Sequence, residues 1–256
     1  MDDALFNSPR RPVDQVGKII ETAFAGLPPI SGLMGPSGGK ALSLEERAKL
    51  EDADKKLGAW DQLRIGGSPT EMATYFTTAA LYWRYYGDNE RALERLERAV
   101  ALDPRSVYAR EKLGQTLSYL AADTSPGSPE KAKLLRRALS ELEQAKKMQS
   151  PPRAETLHAL AWTYDELGEY GRAAADYRDA RARAPAHADA YTYNLARSLA
   201  KAGEFSEALR ELEAIVNTGD FALWAENDHD FKKLRASSYG PVFAELIKKA
   251  KAQRGL

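Results

Sequence analysis

Residues able to hold a phosphate, a metal ion or a nucleophile are few in this sequence, and none has a complete setting. Gly35-Pro36-Ser37-Gly38-Gly39-Lys40 has the glycines and the lysine of a phosphate-binding loop. That loop also needs a glycine five residues before the Gly-Lys pair and a Ser or Thr after the lysine. Met34 and Ala41 stand at those places, and no strand pattern precedes them. Asp228-His229-Asp230 offers metal-ligand side chains, but successive residues point different ways around a helix. The other histidines, His158 and His187, lie at no ligand spacing from it. The triplet reads better as the acidic start of a helix. Asp165-Glu166 reads as exposed helix charge and not as an acid–base pair. With no cysteine and no Gly-x-Ser-x-Gly turn, nothing supplies a nucleophile. The expectation is a protein that is not an enzyme, with no cofactor and no metal.

Composition narrows the classes further. The 256 residues carry 37 Lys+Arg against 37 Asp+Glu, so no global basic field draws nucleic acid or an anionic membrane. Hydrophobic residues at 43% and charged residues at 29% suit a soluble helical chain. No apolar run approaches the roughly 18 residues of a membrane span. Met1-Asp2-Asp3 lacks the basic start of a leader, so the expected location is cytoplasmic.

The elements that would position any binding residues repeat along the chain. From Ala73 to Asp220 runs a degenerate period of about 34 residues. Gly87, Gly168 and Gly203 mark equivalent turns, and alanines recur at Ala92, Ala138, Ala173 and Ala208, then at Ala99, Ala145 and Ala180. A period of that size marks a solenoid whose units bury their apolar faces only against neighbours. Residues 1–42, rich in Pro and Gly, read as an N-terminal arm. Within it Val13, Val16, Ile20, Phe24 and Leu27 have the spacing of a short amphipathic helix, packed on the body or docked on a partner. A helix over 43–67 begins at Ser43 with Glu46 completing a capping box, and Leu50, Ala53, Leu57 and Trp60 form its apolar face. The next helix is crowded with aromatics, of which Tyr75, Tyr82 and Tyr86 should pack on the preceding helix around Trp60.

Two segments carry a resemblance. Trp83…Gly87…Ala92…Ala99…Leu102-Asp103-Pro104 resembles a tetratricopeptide repeat. So does Leu160-Ala161…Tyr164…Gly168-Glu169-Tyr170…Ala173…Tyr177…Ala180…Pro185. Small residues at Ala80, Gly114, Ala161 and Ala196 allow close approach of helices, and Trp83, Tyr164, Tyr170 and Phe205 fill the space beside them. Pro104 and Pro185 end the second helix of their repeats. The resemblance implies an all-α, right-handed superhelical solenoid of about four repeats, near 73–106, 107–152, 154–187 and 189–220. Residues 70–220 would thus hold the repeats and 221–256 the C-terminal capping helices. Ala99 to Ala145 spans 46 residues against 35 from Ala145 to Ala180, so the second repeat carries an insertion near 123–134. The segment from Asp228 to Phe243 is similar to tails that close many bacterial tetratricopeptide arrays. Pro241 would start a final helix with Val242, Phe243, Leu246 and Ile247 apolar.

The resemblance also implies where a partner sits: the first helix of each repeat lines a concave groove. Carried over position by position, the inward residues are Thr74, Thr77, Leu81 and Tyr85, then Tyr108, Glu111, Lys112, Gln115 and Tyr119. Glu155, His158, Trp162 and Asp165 follow from the third repeat, and Tyr193, Asn194, Arg197 and Lys201 from the fourth. The lysine-and-asparagine clamp by which co-chaperone members grip C-terminal carboxylates is missing, since Thr77, Leu81 and Lys112 hold its places. Tyr119, Trp162 and Tyr193, flanked by charge, suit a peptide or helix held by a few aromatic anchors. The expected function is therefore a non-catalytic adaptor or scaffold that binds a segment of another protein. A dedicated chaperone for an assembly or secretion client, or a regulatory subunit of an enzyme complex, are the alternatives.

Overall fold

A computed structural model describes residues 43–63, 67–218 and 221–255. The N-terminal arm, with its amphipathic pattern and its Gly35–Lys40 segment, lies outside the described residues. The described chain is all-α: α1 (Leu44–Leu63), α2 (Pro69–Tyr85), α3 (Asn89–Leu102), α4 (Val107–Ala122), α5 (Pro129–Lys147), α6 (Ala154–Glu166), α7 (Tyr170–Arg183), α8 (Ala188–Ala202), α9 (Phe205–Ala214), α10 (Phe221–Asn227), α11 (Lys232–Arg235) and α12 (Gly240–Ala252). It divides into two compact units, one ending at Leu134 and one beginning at Leu135, inside α5.

The turns follow from the glycines. Gly87, Gly168 and Gly203 follow α2, α6 and α8 at φ 83°, 78° and 90°, a region that residues bearing a Cβ seldom enter. Each therefore closes its helix and lets the partner helix fold back after two or three residues. Asp123–Ser128 forms a longer turn, and α5 runs 19 residues where α3 and α7 run 14. The extra length near 123–134 is thus divided between a turn and a lengthened helix.

In the first unit α1 opens with the Ser43–Glu46 capping box, each backbone amide donating to the other's side chain. Leu50, Ala53 and Leu57 of α1 are buried, as are Phe76, Tyr82 and Trp83 of α2. Burial, reinforced by Glu46 of α1, pushes the Tyr86 phenol up to about 12, in keeping with Tyr86 packing towards α1. A ladder of charge adds to this seam. Arg95 of α3 holds Asp54 of α1 bidentately at 2.6 and 2.8 Å. Arg98 holds Asp61 the same way at 2.6 and 2.7 Å, and Arg91 reaches Glu51 at 3.3 Å. These arginines fall on one face of α3 and the carboxylates on one face of α1.

In the second unit Ala161, Ala173, Ala180, Ala196 and Ala208 are fully buried, at the close approaches that small residues permit. Tyr177 fills the space beside them. A cap built from α10, α11 and α12 seals the far end, with Phe231, Leu234, Phe243 and Ile247 joining Ile215 and Val216 in one apolar cluster. Pro241 sits in the first turn of α12 as its fixed φ favours. Of the apolar residues of this helix, Phe243, Leu246, Ile247 and Ala250 form the buried stripe, while Val242 is 57% exposed.

Candidate partner-binding site

In the first unit, α2 and α4 contribute a compact group of aromatic and charged side chains. Tyr108, at the start of α4, is 43% exposed, with the Lys112 ammonium 5.1 Å from its ring centre. One helical turn on, Glu111 is fully buried. Lys112 Nζ lies 3.2 Å from its carboxylate, and Gln115 Nε2 donates to it at 3.5 Å. Gln115 Oε1 in turn accepts from Lys112 Nζ and from Arg84 Nη1, both at 3.2 Å. The Arg84 guanidinium lies 5.4 Å from the centre of the half-buried Tyr119 ring. Tyr85 meets Tyr86 edge-on at 4.9 Å. Thr77 is buried, its hydroxyl donating to the Ala73 carbonyl, so it lines no groove. Sequence reasoning omitted Arg84 because its position on α2 lies one residue from the Tyr85 that was expected to point inward.

The second unit treats its share of these residues differently. His158 lies between Tyr177 and Tyr191, with ring centres 5.8 and 5.4 Å away, and its Nε2 is 3.3 Å from Asn194 Nδ2. Burial draws its pKa down to about 4, with Glu155 opposing weakly, so the ring is neutral at pH 7 and Nε2 accepts from Asn194. Glu155 is half-buried with Arg153 Nε at 3.5 Å, and Trp162 is half-buried on the same face of α6. Asp165, expected as exposed helix charge, is instead buried, because its carboxylate accepts from Ser198 at 2.8 Å and from Lys201 at 2.7 Å on α8.

On α8 the cations meet the chain's own acidic segment. Arg197 donates to Asp230 through Nε at 3.0 Å and Nη2 at 2.5 Å, and lies 3.1 Å from Asp228. Burial opposes the Arg197 charge, but Asp230 and Asp228 outweigh it and hold the guanidinium above its ordinary range. Burial opposes Lys201 likewise, and Asp165 outweighs it. Tyr193 is 7% exposed, packs on Phe231 at 6.0 Å and donates its hydroxyl to Asp228 at 2.8 Å. The expected groove exposure of Tyr193 is therefore corrected: its ring belongs to the cap. Asp228-His229-Asp230 does start a short helix, Asp228 accepting from the Asp230 amide, while both carboxylates also reach back to α8. No group of metal-ligating side chains occurs among the described residues, and no described helix is long and apolar enough to cross a membrane.

No family model matches the sequence, and no curated protein matches it. Solved structures do match. One is the crystal structure of YrrB, a TPR protein with an unusual peptide-binding site. It is 16% identical, superposes with a TM-score of 0.51, and the match covers 72% of this chain and 87% of that one. At that identity the likeness establishes the fold, an all-α tetratricopeptide-type solenoid.

Proposed function

We propose that this tetratricopeptide-type chain is a non-catalytic interaction module, an adaptor or scaffold that takes a peptide or helical segment of another protein on the first helices of its pairs. The observation that carries this reading is the face of α4. Tyr108, Lys112, Gln115 and Tyr119 follow one another at three- and four-residue steps, none of them in the apolar core. A half-exposed aromatic and polar stripe of this kind suits a docked segment anchored by its aromatics. Tyr85 supports it from α2, and Glu155 and Trp162 lie on one face of α6, while His158, packed between Tyr177 and Tyr191, takes a supporting role. Asp165, Tyr193, Asn194, Arg197 and Lys201 take a supporting role, because the chain's own hydrogen bonds and ion pairs use them. The peptide-binding site of YrrB makes the same use of this fold a reasonable expectation.

Affinity capture from a lysate of the source cell, comparing the native chain with a Tyr108→Ala/Tyr119→Ala/Trp162→Ala variant of equal melting temperature, tests the proposal. A protein retained by the native chain and lost by the variant supports it. Equal retention by both moves the interface off these faces.

A further inference from the structure

The cap of the second unit leaves a cavity of about 680 Å³ between α10, α11 and α12. Phe243, Ala244 and Ile247 give it an apolar wall, and Glu226, Arg235, Lys248 and Lys251 bring charge to it. Its shape depends on Gly240: a Cβ there would strike the Arg235 carbonyl, so glycine lets α12 begin against the end of α11. The cations are unequally engaged. Lys251 holds Glu226 at 2.7 Å, and Lys248 lies a loose 3.7 Å from Glu245, both side chains of that pair being largely in solvent. Half-buried Arg235 makes no ion pair among the described residues, whereas Arg95, Arg98, Arg197 and Lys201 each meet a carboxylate at 2.7 Å or less. Its Nη1 donates to the carbonyls of Ala225 and Asp228 at 3.1 and 2.8 Å, which holds the guanidinium in place. Nε and Nη2, the edge that grips a carboxylate side-on in Arg95 and Arg98, donate to no described residue.

We infer that this cavity is a docking site for a segment of a partner protein that carries an aspartate or glutamate beside an apolar side chain. The carboxylate takes the Nε and Nη2 edge of Arg235 and draws Lys248 from its loose partner, so both contacts are charge-assisted. The apolar neighbour lies on Ala244 against Phe243 and Ile247, and the stems of Lys248 and Lys251 extend that wall. Ala244, Lys248 and Ala252 form an exposed row at four-residue steps along α12. The cavity therefore opens along the helix, and a passing chain can enter it with both ends outside. This site lies in the cap and uses none of the first-helix residues of the proposed function, so loss of either surface leaves the other intact.

The test is an array of capped peptides of about eight residues with Leu or Phe beside a variable position. Matched sets carry Asp/Glu, Asn/Gln or phosphoserine there, and the labelled full-length chain is the probe. Acidic members should retain the native chain about tenfold better than their amide twins, with the margin shrinking as salt rises. Arg235→Gln should erase that margin. Because Arg235 also holds two carbonyls, two substitutions at exposed positions guard against a folding loss: Lys248→Glu should erase the margin, and Ala244→Trp should block retention, both at the native melting temperature. The Tyr108→Ala/Tyr119→Ala/Trp162→Ala variant should keep the margin. Equal retention of the twins, a margin that survives Lys248→Glu and Ala244→Trp, or retention of no acidic peptide overturns the cap site. A margin lost in the triple variant but kept in Lys248→Glu places the acidic preference on the first helices and overturns it as well. Preference for phosphoserine over the acidic twin reassigns the cavity to phosphate and likewise overturns it.

Discussion

His158 makes acid sensitivity of the second unit a quantitative expectation. Its ring is packed between Tyr177 and Tyr191, and its Nε2 accepts from Asn194, so folding stabilises the neutral form. The folded pKa is about 4 against 6.5 for the free side chain. A group depressed in this way contributes fully above the unfolded value and loses its contribution as pH falls towards the folded one. At about 1.4 kcal/mol per unit, the whole effect is about 3 kcal/mol, of which about 2 kcal/mol is lost between about pH 7 and pH 5. Glu155 favours the charged ring, and its opposition is already contained in the folded value. Urea unfolding of the native chain and of His158→Gln, at steps from about pH 7 to pH 4, isolates the term, since the remaining carboxylates titrate in both. The native chain should lose about 2 kcal/mol more than the variant by about pH 5. Parallel pH profiles, or a His158 resonance titrating near its free value, would refute the reasoning.

Three further outcomes follow from packing and charge. Ala173 is fully buried where α6 and α7 approach, so Ala173→Trp should cost about 3 kcal/mol or abolish cooperative melting; an unchanged melt would mean the helices do not meet there. Asp54→Ala strands the bidentate Arg95 and should cost about 2 kcal/mol by thermal or urea unfolding, whereas a loss below about 0.5 kcal/mol would make the ladder ornamental. Asp230→Asn removes a carboxylate that Arg197 and Lys201 share, and trypsin should then cut faster after Lys232 and Lys233 at equal global stability; unchanged cutting would show that Phe231 alone anchors the segment.

The repeat register was legible because close helix approach tolerates only small side chains. Ala80, Ala92, Ala99, Ala161, Ala173 and Ala180 recur at positions that are all fully buried. The helix ends were legible because Pro104 and Pro185 cannot continue a helix and Gly87, Gly168 and Gly203 adopt a backbone conformation that others avoid. Ion pairs carry no such local signature. Arg197 and Asp230 are 33 residues apart, and nothing in either neighbourhood announces the other, so α8 cations read as partner contacts when the cap takes them. The α1–α3 ladder had a readable trace in Glu51, Asp54 and Asp61 against Arg91, Arg95 and Arg98, each set on one helical face.

The central claim is that the faces of the first helices, and not those of the second, meet a partner protein. A photo-crosslinking amino acid in place of Tyr108 on α4, compared with the same group in place of Glu94 on the exposed side of α3, tests it in the source cell. The account predicts a discrete protein adduct from position 108 and none from position 94. An adduct from position 94 alone, or the same adduct from both, would contradict it.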